Sequence, residues 1–457
     1  MDRRDFIKHS VFAVAATAVA NQTKGANLPM DSASQEEPER TDKLIISAPM
    51  LQNFAETSIG VAFAVSDMAN GFVTYSEHPD MSNSKTVKCG GYRVTDMNDK
   101  VMLVRLTNLK PQTTYYYRIG ADRISYKSGY SMSIQGHEDD ANVYHFTTAG
   151  PKIPSHFCVI NDTHAHMKAM DALTQRIAQL APSCVVWNGD ACNSEETIDS
   201  QVRIFLKPQI QLQDYAANRP YLFCPGNHDN RGMANRHLER VWMFRQPEER
   251  DSRFWDLGRN FAVRVGDIAL VGLDTAEDKM DSDKRFAGLF ASDEYRRAQA
   301  EWLKEALQQP EIAKAPFLVA LCHIPIANDS PRYNPGDVPV GSPEAKQYPH
   351  DYAIWQRTCA QLWGPLLNKA KCQLVICAHQ HFYHYLAPDK SRTWGCIVGG
   401  GYALAGKRPV DNAILLDVQV QNHQLVATAY NMFDQSVLDT QTYLPKSKTK
   451  LKKAYMM

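Results

Sequence analysis

Residues that can bind a metal ion or a phosphate group follow short apolar runs at several places along the chain. Such a run predicts a buried strand, and ligands gather at the carboxyl ends of the strands in an α/β sheet. Imidazole donors suit Zn, Fe, Mn or Ni better than Mg or Ca, so a transition-metal site is indicated. Five groups share this setting: Asp162-Thr-His164, Gly189-Asp190, Gly226-Asn227-His228-Asp229, His323 and His379-Gln-His381.

The elements that would position these groups alternate between strands and helices after Pro151. Six buried strands are predicted at 157–160, 184–187, 221–223, 268–273, 317–321 and 374–377. Three amphipathic helices are predicted at 170–180, 294–307 and 352–367. Five of the six strands lead directly into candidate ligands, and the alternation predicts an α/β domain over residues 150–435.

The preceding segment, residues 43–149, has a different pattern. Its apolar runs are short and no helix-period segment interrupts them, which favours an all-β sandwich. Strands are predicted at 44–46, 59–65, 72–75, 101–106, 114–119 and 143–146. The run Leu109-x-Pro111-x-Thr113-x-Tyr115-x-Tyr117 resembles the corner of fibronectin type III-like domains. No catalytic grouping occurs here, so we expect a scaffold.

Both ends of the chain are predicted to lie outside these domains. Residues 1–20 combine Arg3-Arg4, a short apolar stretch and small residues at its end, which indicates an export signal too short to anchor in a bilayer. The Arg-Arg-x-Phe-Ile-Lys run resembles a twin-arginine signal, with a general secretory signal as the alternative. Residues 21–42 are predicted to be a polar linker, and 436–457 a solvated basic tail.

The charge balance and the cysteine spacing indicate which partners to expect and whether the thiols are reduced. The chain carries 50 Lys and Arg against 50 Asp and Glu, so no overall field favours nucleic acid or an anionic membrane. The ten cysteines include no Cys-x-x-Cys pair, and most lie in or beside apolar runs. We therefore predict reduced core thiols, with one incidental disulfide as the alternative.

The five groups, in this order, resemble the signature of the calcineurin-like metallophosphoesterases. The resemblance extends from about Ser155 to Ala405 and implies a two-sheet β core flanked by helices. With the β-sandwich in front, the arrangement is similar to that of purple acid phosphatases and related exported phosphatases. The expected fold class is an N-terminal all-β sandwich followed by a C-terminal α/β metallophosphoesterase domain.

The resemblance implies two metal sites that share one carboxylate, Asp190. It assigns Asp162, His164, Asp190 and His381 to one ion, and Asp190, Asn227, His323 and His379 to the other. The implied cofactors are two divalent transition-metal ions, Mn, Fe or Zn. Two cations about 3.5–4 Å apart can hold a bridging hydroxide as the nucleophile and neutralise phosphoryl oxygens during displacement.

His228 is not a ligand in this scheme. Its predicted role is to donate a hydrogen bond or a proton to the leaving-group oxygen. Asp229 and the side chain of Asn193 are candidates to orient His228, and a local cap or turn hydrogen bond is the alternative for each.

The sequence departs from the relatives at three positions. Purple acid phosphatases have a tyrosine at the position of Asn193 and a glycine at that of His164. Replacing an anionic phenolate by a neutral imidazole should weaken the hold on a trivalent ion. Ala378 stands where the family usually has glycine, and we expect the backbone to tolerate the methyl group.

The predicted function is an exported dinuclear phosphoesterase, periplasmic or at the bacterial cell surface, with phosphomonoesters favoured. A phosphodiesterase or nucleotidase is the alternative, and a degenerate binding or adhesion protein a remote one. We expect a small phosphate ester as substrate, no nucleic acid and no stable membrane span, and the oligomeric state is open. Specificity is predicted to lie in the connections 230–257, 275–293 and 327–350.

Overall fold

The computed structural model describes residues 42–90, 97–208, 210–211, 214–244, 254–279, 281–327 and 350–448. These residues belong to one compact unit that begins at Asp42. The predicted export signal, all of the linker before Asp42, and nearly all of the connection 327–350 lie outside the described residues. None of the described helices is both long enough and apolar enough to cross a lipid bilayer.

Eight strands are formed by the described residues of the N-terminal segment, 42–90 and 97–149. They are β1 (Met50–Gln52), β2 (Ile59–Ala64), β3 (Ala69–Ser76), β4 (Lys85–Lys88), β5 (Val101–Leu106), β6 (Thr114–Ser128), β7 (Ser131–Asp139) and β8 (Tyr144–Thr147). The strand predicted at 44–46 is reduced to one bridge between Ile45 and Val65. At the predicted corner, the hydroxyl of the buried Tyr115 accepts a hydrogen bond from the Lys110 N–H at 2.9 Å.

The described residues after 149 form twelve strands and five α-helices. The strands are β9 (His156–Ile160), β10 (Cys184–Trp187), β11 (Tyr221–Phe223), β12 (Phe261–Val265), β13 (Ile268–Leu273), β14 (Phe317–Cys322), β15 (Leu374–Cys377), β16 (His384–Leu386), β17 (Gly395–Val398), β18 (Ile414–Gln421), β19 (Gln424–Asn431) and β20 (Val437–Tyr443). The helices are α1 (Met167–Leu180), α2 (Ile198–Phe205), α3 (Ser292–Ala306), α4 (Pro310–Ala313) and α5 (His350–Lys369).

Two packed sheets form the centre of the molecule. The larger has the strand order β20-β19-β18-β9-β10-β11-β1-β2-β5, and the smaller has the order β12-β13-β14-β15-β17-β16. Apolar side chains of both sheets share one core, including Val159, Val186, Val319 and Ile376. Helices α1 and α2 pack on the outer face of the larger sheet, and α3 and α5 on that of the smaller. The predicted fold class is confirmed.

Burial explains why the ligand-bearing strands are apolar runs without alternation. Every residue of β10, β14 and β15 is buried, because each strand has the shared core on one face and helices on the other. Helix α1 buries one stripe, Ala169, Met170, Leu173 and Ile177, and ends at Ala181 in a left-handed conformation.

The larger sheet crosses the predicted domain boundary at 149–150. Strand β1 pairs in parallel with β11 through Gln52 and Tyr221, so β2 and β5 extend the sheet that carries the candidate ligands. The other sandwich strands form a separate sheet of order β4-β3-β6-β7, with β8 against β6. The two predicted domains therefore share one β-sheet.

The predicted start of a basic tail at residue 436 is wrong. Strand β20 pairs along β19, and Tyr443 at its end is buried. Lys446 follows it, and burial lowers the pKa of this lysine to about 8. The lysine-rich composition predicted a solvent-exposed tail. The residues before the lysines instead form β20, the edge strand of the larger sheet. The last lysines of the tail lie outside the described residues.

All ten cysteines are free thiols, and nine of them are buried. Cys322 and Cys377 approach most closely, with their sulfur atoms 3.6 Å apart in neighbouring strands. The expectation of reduced core thiols agrees with this arrangement.

Candidate metal centre

Backbone hydrogen bonds hold together the loops that leave β9, β10, β14 and β15. The Asp162 N–H donates to Gly189 O at 3.0 Å, and the His164 N–H to Asp190 O at 2.9 Å. The Ala378 N–H donates to His323 O at 2.7 Å. Because these loops leave the same ends of neighbouring parallel strands, the side chains that follow meet at one edge of the core.

Four side chains form a cluster that is partly open to solvent, and we call it the open group: Asp162, His164, Asp190 and His381. Their donor atoms all lie within 4.8 Å of one another. His164 Nε2 is 3.0 Å from His381 Nε2 and 3.6 Å from Asp190 Oδ2. His381 Nε2 is 3.5 Å from Asp162 Oδ1, and the His381 side chain is 42% exposed.

A second cluster, the buried group, consists of Asp190, Asn227, His323 and His379. The donor atoms of Asp190, His323 and His379 lie within 4.8 Å of one another. His323 Nε2 is 3.1 Å from Asp190 Oδ2, and His379 Nδ1 is 2.9 Å from Asn227 Oδ1. All seven predicted ligands therefore meet, in two groups that share Asp190.

The backbone at these positions is unusual. Five of the seven candidate ligands have a left-handed conformation, with φ between 45° and 71°: Asp162, His164, Asp190, His379 and His381. For a residue with a Cβ this conformation costs about 1–2 kcal/mol, and it persists where surrounding contacts fix it. One such contact is the His379 N–H, which lies 3.1 Å from both carboxylate oxygens of Asp162.

Glycine is required beside the shared carboxylate. A Cβ on Gly226 would lie 2.4 Å from Asp190 Oδ1 and 2.6 Å from the Asp190 nitrogen. Ala378 shows the opposite case, because its φ is not positive, so a residue with a Cβ is unstrained there even though it is buried. The expectation that this position tolerates alanine agrees with the geometry.

The donor atoms fit a cation in each group. In the buried group, His323 Nδ1 donates to Asn188 O at 2.9 Å, so Nε2 faces the cluster; this buried atom makes no hydrogen bond of good geometry. In the open group, His164 Nδ1 donates to Asn193 Oδ1 at 2.8 Å, which leaves the Nε2 lone pair facing His381. A cation would take the place of a proton on His323 Nε2 in the buried group, and another would satisfy the facing lone pairs of the open group.

The protonation of the metal-free groups differs. Burial lowers the pKa of His379 to about 4 and that of His381 to about 3, so both are neutral at pH 7 and able to bind a cation. Burial disfavours the charged form of His323 too, but the charges of Asp190 and Asp162 outweigh it and raise its pKa to about 10. Burial and the charge of Asp190 raise the pKa of Asp162 to about 7. A proton on His323 thus stands where a cation would bind.

His228 lies against the open group without joining it. Its ring meets that of His164 edge-on at 4.8 Å, and its backbone N–H donates to Asp190 Oδ1 at 2.8 Å. Its Nδ1 donates to Asn193 O at 3.1 Å, and its Nε2 accepts from Arg231 Nη1 at 3.2 Å. Since arginine only donates, Nε2 of His228 is an acceptor in this arrangement.

The two predicted orienting residues have other contacts. Asn193 reaches His228 through its backbone carbonyl, while its side chain holds His164 through hydrogen bonds of 2.8 and 3.0 Å. The carboxylate of Asp229 accepts from the Cys192 N–H at 2.9 Å and the Gly226 N–H at 2.8 Å. Asp229 therefore ties two loops together, which agrees with the local alternative rather than with orientation of His228.

Sequence reasoning missed several polar residues at the rim of the centre. Asn161 Nδ2 donates to Asp162 Oδ2 at 2.9 Å, and the ring of Tyr402 lies 5.4 Å from that of His164. Arg231 pairs with Glu277 and Asp278, from the loop after β13. Arg231 and its partners lie in the connections 230–257 and 275–293, where specificity was predicted, but the sequence did not single out these residues.

Comparison with known proteins agrees with this fold. A family model described as calcineurin-like phosphoesterase matches residues 155–383, half of the chain. A model of the purple acid phosphatase N-terminal domain matches residues 49–148. Purple acid phosphatase 21 of Arabidopsis thaliana is 23% identical over 330 residues, which are 69% of this chain and 60% of that protein. The chain thus spans less than two thirds of that relative.

Two solved structures share the fold at low sequence identity. Purple acid phosphatase PPD1 from seeds of yellow lupin (Lupinus luteus) has a TM-score of 0.60 and 15% identity, covering 87% of this chain and 74% of that one. PhoD has a TM-score of 0.54 and 12% identity, covering 90% of this chain and 92% of that one. The resemblance found in the sequence motifs is confirmed, and the chain belongs to the calcineurin-like phosphoesterase family.

Proposed function

We propose that the protein is an exported phosphoesterase that hydrolyses phosphate esters at a centre of two metal ions, with phosphomonoesters favoured. The observation that carries the proposal is the meeting of seven candidate ligands in two groups that share Asp190. Family membership supports activity of this class. Diesters and nucleotides are the alternative substrates.

The bound ions would supply a nucleophilic hydroxide and neutralise phosphoryl oxygens. The chain supplies the geometry. Asp190 Oδ2 lies 3.6 Å from His164 Nε2 and 3.1 Å from His323 Nε2, so one carboxylate oxygen faces both groups. Asp190 Oδ1 accepts from the His228 N–H, which fixes the orientation of the carboxylate.

The charge of the centre supports monoesters as the favoured substrates. Two divalent ions against two carboxylates and a hydroxide leave about one positive charge, which attracts a phosphate dianion more than a diester monoanion.

The rival proposal, a degenerate binding protein, requires a centre that has lost ligands. All seven are present, and five of them have a strained, left-handed backbone. Strain of this kind is maintained at functional sites, so these features favour an enzyme.

A panel of mono- and diesters, assayed with purified protein of known metal content, tests the proposal. We expect hydrolysis, faster for monoesters, that disappears after chelation and returns with Mn, Fe or Zn. Protein that holds two ions per chain yet cleaves no ester would contradict the proposal. A faster rate on diesters would replace only the favoured substrate.

We also propose that the chain is exported already folded. The Arg3-Arg4 pair supports the twin-arginine route, and nine buried free thiols suit a chain that folds before it leaves a reducing compartment. Replacing Arg3 and Arg4 by lysine should leave active protein in the cytoplasm, measured by cell fractionation. Unchanged export of this double variant would refute folded export without touching the enzyme.

A further inference from the structure

We propose that Arg231 is a further substrate-binding residue, which holds His228 in its acceptor tautomer and offers an N–H to a phosphoryl oxygen. The inference rests on the proposed phosphoesterase function and deepens it. Arg231 belongs neither to the predicted ligands nor to the predicted catalytic residues.

The guanidinium is held rigidly on one edge. Nε donates to Glu277 Oε2 at 2.9 Å and Nη2 to Glu277 Oε1 at 2.5 Å, which is a bidentate pair. Nη2 also donates to Asp278 Oδ1 at 2.9 Å. The Glu277 side chain is only 5% exposed. A guanidinium fixed in this way loses little further freedom when it binds an anion.

The other edge of the guanidinium faces the candidate metal centre. Nη1 lies 3.2 Å from His228 Nε2 and uses one of its two hydrogens for that contact. The other four N–H groups of an arginine are Nε–H, two on Nη2 and one more on Nη1. The structure gives the second Nη1 hydrogen no protein acceptor among the described residues, so it is available to a substrate oxygen.

Arg231, Glu277, Asp278 and Lys279 form a cluster, the Arg231 cluster, that adjoins both ligand groups. Through His228 it adjoins the open group, since the His228 backbone is bonded to Asp190. Through Asp278 it adjoins the buried group, since Asp278 Oδ2 lies 3.9 Å from His379 Nε2. A phosphoryl group bound between two ions would therefore have Arg231 at its side, and arginine binds phosphate oxygens with strong charge-assisted hydrogen bonds.

The charges around Arg231 permit a cation so close to metal ions. Glu277 and Asp278 balance Arg231 and Lys279, whose ammonium contacts Asp278. With Glu277 ionised, as its bidentate pair with Arg231 favours, the four side chains are neutral in sum and the cluster does not repel the ions. The second Nη1 hydrogen therefore remains available to donate to a phosphate dianion.

The contact between Arg231 and His228 has a consequence for catalysis. While Nε2 accepts from Nη1, it carries no proton and cannot protonate a leaving group. Arg231 then acts on the phosphoryl oxygens that alkyl and nitrophenyl esters have in common, whereas His228 acts on the leaving group only after Nε2 takes a proton from water and the hydrogen bond from Nη1 breaks. The two residues should respond differently to the choice of ester.

Nitrogen NMR of ring-labelled histidine in the metal-free protein tests the contact without any assay of activity. We expect His228, assigned from the His228→Ala spectrum, to show a protonated Nδ1 and an unprotonated Nε2. In Arg231→Gln this signal should move toward a mixture of tautomers. A proton on Nε2 in the unaltered protein, or an unmoved signal in the variant, would overturn the proposal.

Kinetics and phosphate binding test the role in substrate binding. Arg231→Gln should lower kcat/KM about tenfold to a hundredfold, the range for losing a hydrogen bond to a charged group. The loss should be equal for alkyl and nitrophenyl phosphates, and binding of inorganic phosphate, measured by calorimetry on the metal-loaded protein, should weaken similarly. Added guanidinium ion should partly restore Arg231→Ala. A larger loss on alkyl esters, or unweakened phosphate binding, would overturn the assignment.

Arg285→Gln is the matched control, because Arg285 lies in the connection after β13 that also carries Glu277 and Asp278, and it pairs with Asp283, but its side chain is 66% exposed. It should leave kcat/KM and phosphate binding unchanged. If it lowered them as much as Arg231→Gln, a specific role for Arg231 would be refuted. Unaltered protein that cleaves no ester would refute the proposed function, while the NMR and phosphate-binding results would still decide the role of Arg231.

Discussion

The open group and the buried group share Asp190 but differ in access to solvent and in protonation. The His381 side chain is 42% exposed, whereas His323 is fully buried. The metal-free buried group keeps a proton on His323, whose pKa is about 10, while the pKa of His381 is about 3. We infer that a proton preserves the shape of the buried group, whereas the imidazoles of the open group face each other and need a cation.

The largest expected effect is the loss of both sites when their shared ligand is changed. Asp190→Asn should abolish binding of both ions and lower turnover more than about ten-thousandfold, because residues that act as a unit fail together. Elemental analysis and ester hydrolysis measure the two losses. Asp417→Asn is the control, since this buried carboxylate contacts His156 and lies outside both groups. An Asp190→Asn variant that retains an ion would show that the groups are independent.

The next effect concerns His228, which borders the open group. His228→Ala should keep both ions but lose about a hundred- to ten-thousandfold in turnover, the range for general acid catalysis. Alkyl phosphates should suffer more than nitrophenyl phosphates, because a nitrophenolate leaves without a proton. Equal losses on both would assign His228 to phosphate binding or to support of Arg231, and loss of an ion would make it part of the open group.

Exposure should make the two ions exchange at different rates. With a chelator in excess, the ion of the open group should leave at least about tenfold sooner, since His323 is buried and its ring is fixed by Asn188. Metal content followed over time should show two phases. The second phase should accelerate in His323→Asn and the first in His381→Asn. A single phase would remove the distinction between the groups.

The sequence predicted the two groups well and their surroundings poorly. Apolar runs buried on both faces were easy to recognise, and five of the six predicted runs end in candidate ligands. The assignment of seven ligands to two ions came from the family resemblance. Arg231 and Glu277 are 46 positions apart and meet only through tertiary packing, which no local pattern encodes. The pairing of β1 with β11 was missed for the same reason, because strand periodicity does not specify a neighbour.

Proton release on metal binding should also separate the groups. The raised pKa of His323 means that this histidine is protonated up to about pH 10, so binding an ion to the buried group must displace its proton. At pH 8 Asp162, with a pKa of about 7, is mostly ionised, and His381 is neutral. The side chains of the open group should therefore release almost no protons when an ion binds. Calorimetry in buffers of different ionisation enthalpy should give about two protons for two ions, one from His323 and one from the water that would become the bridging hydroxide. No proton release, or an unchanged number of protons in His323→Asn, would contradict these assignments.

The smallest effect is spectroscopic and concerns only the open group. His164 and Asn193 stand where a metal-bound tyrosine would place its phenolate, so iron-loaded protein should lack an intense visible charge-transfer band. Tyr383 and Tyr385 are engaged elsewhere, with Asp439 and Tyr443. Tyr402, whose ring lies 5.6 Å from that of His381, is the nearby exception. A strong band that disappears in Tyr402→Phe would show that this tyrosine reaches the metal.

The central claim is that Asp190 joins two metal ions, and anomalous X-ray diffraction from crystals of the metal-loaded protein tests it most directly. The account predicts two anomalous peaks about 3.5–4 Å apart, with the Asp190 carboxylate between them. One peak should be bound by His164 and His381, and the other by His323 and His379. A single peak, or a second ion bound without Asp190, would contradict the account.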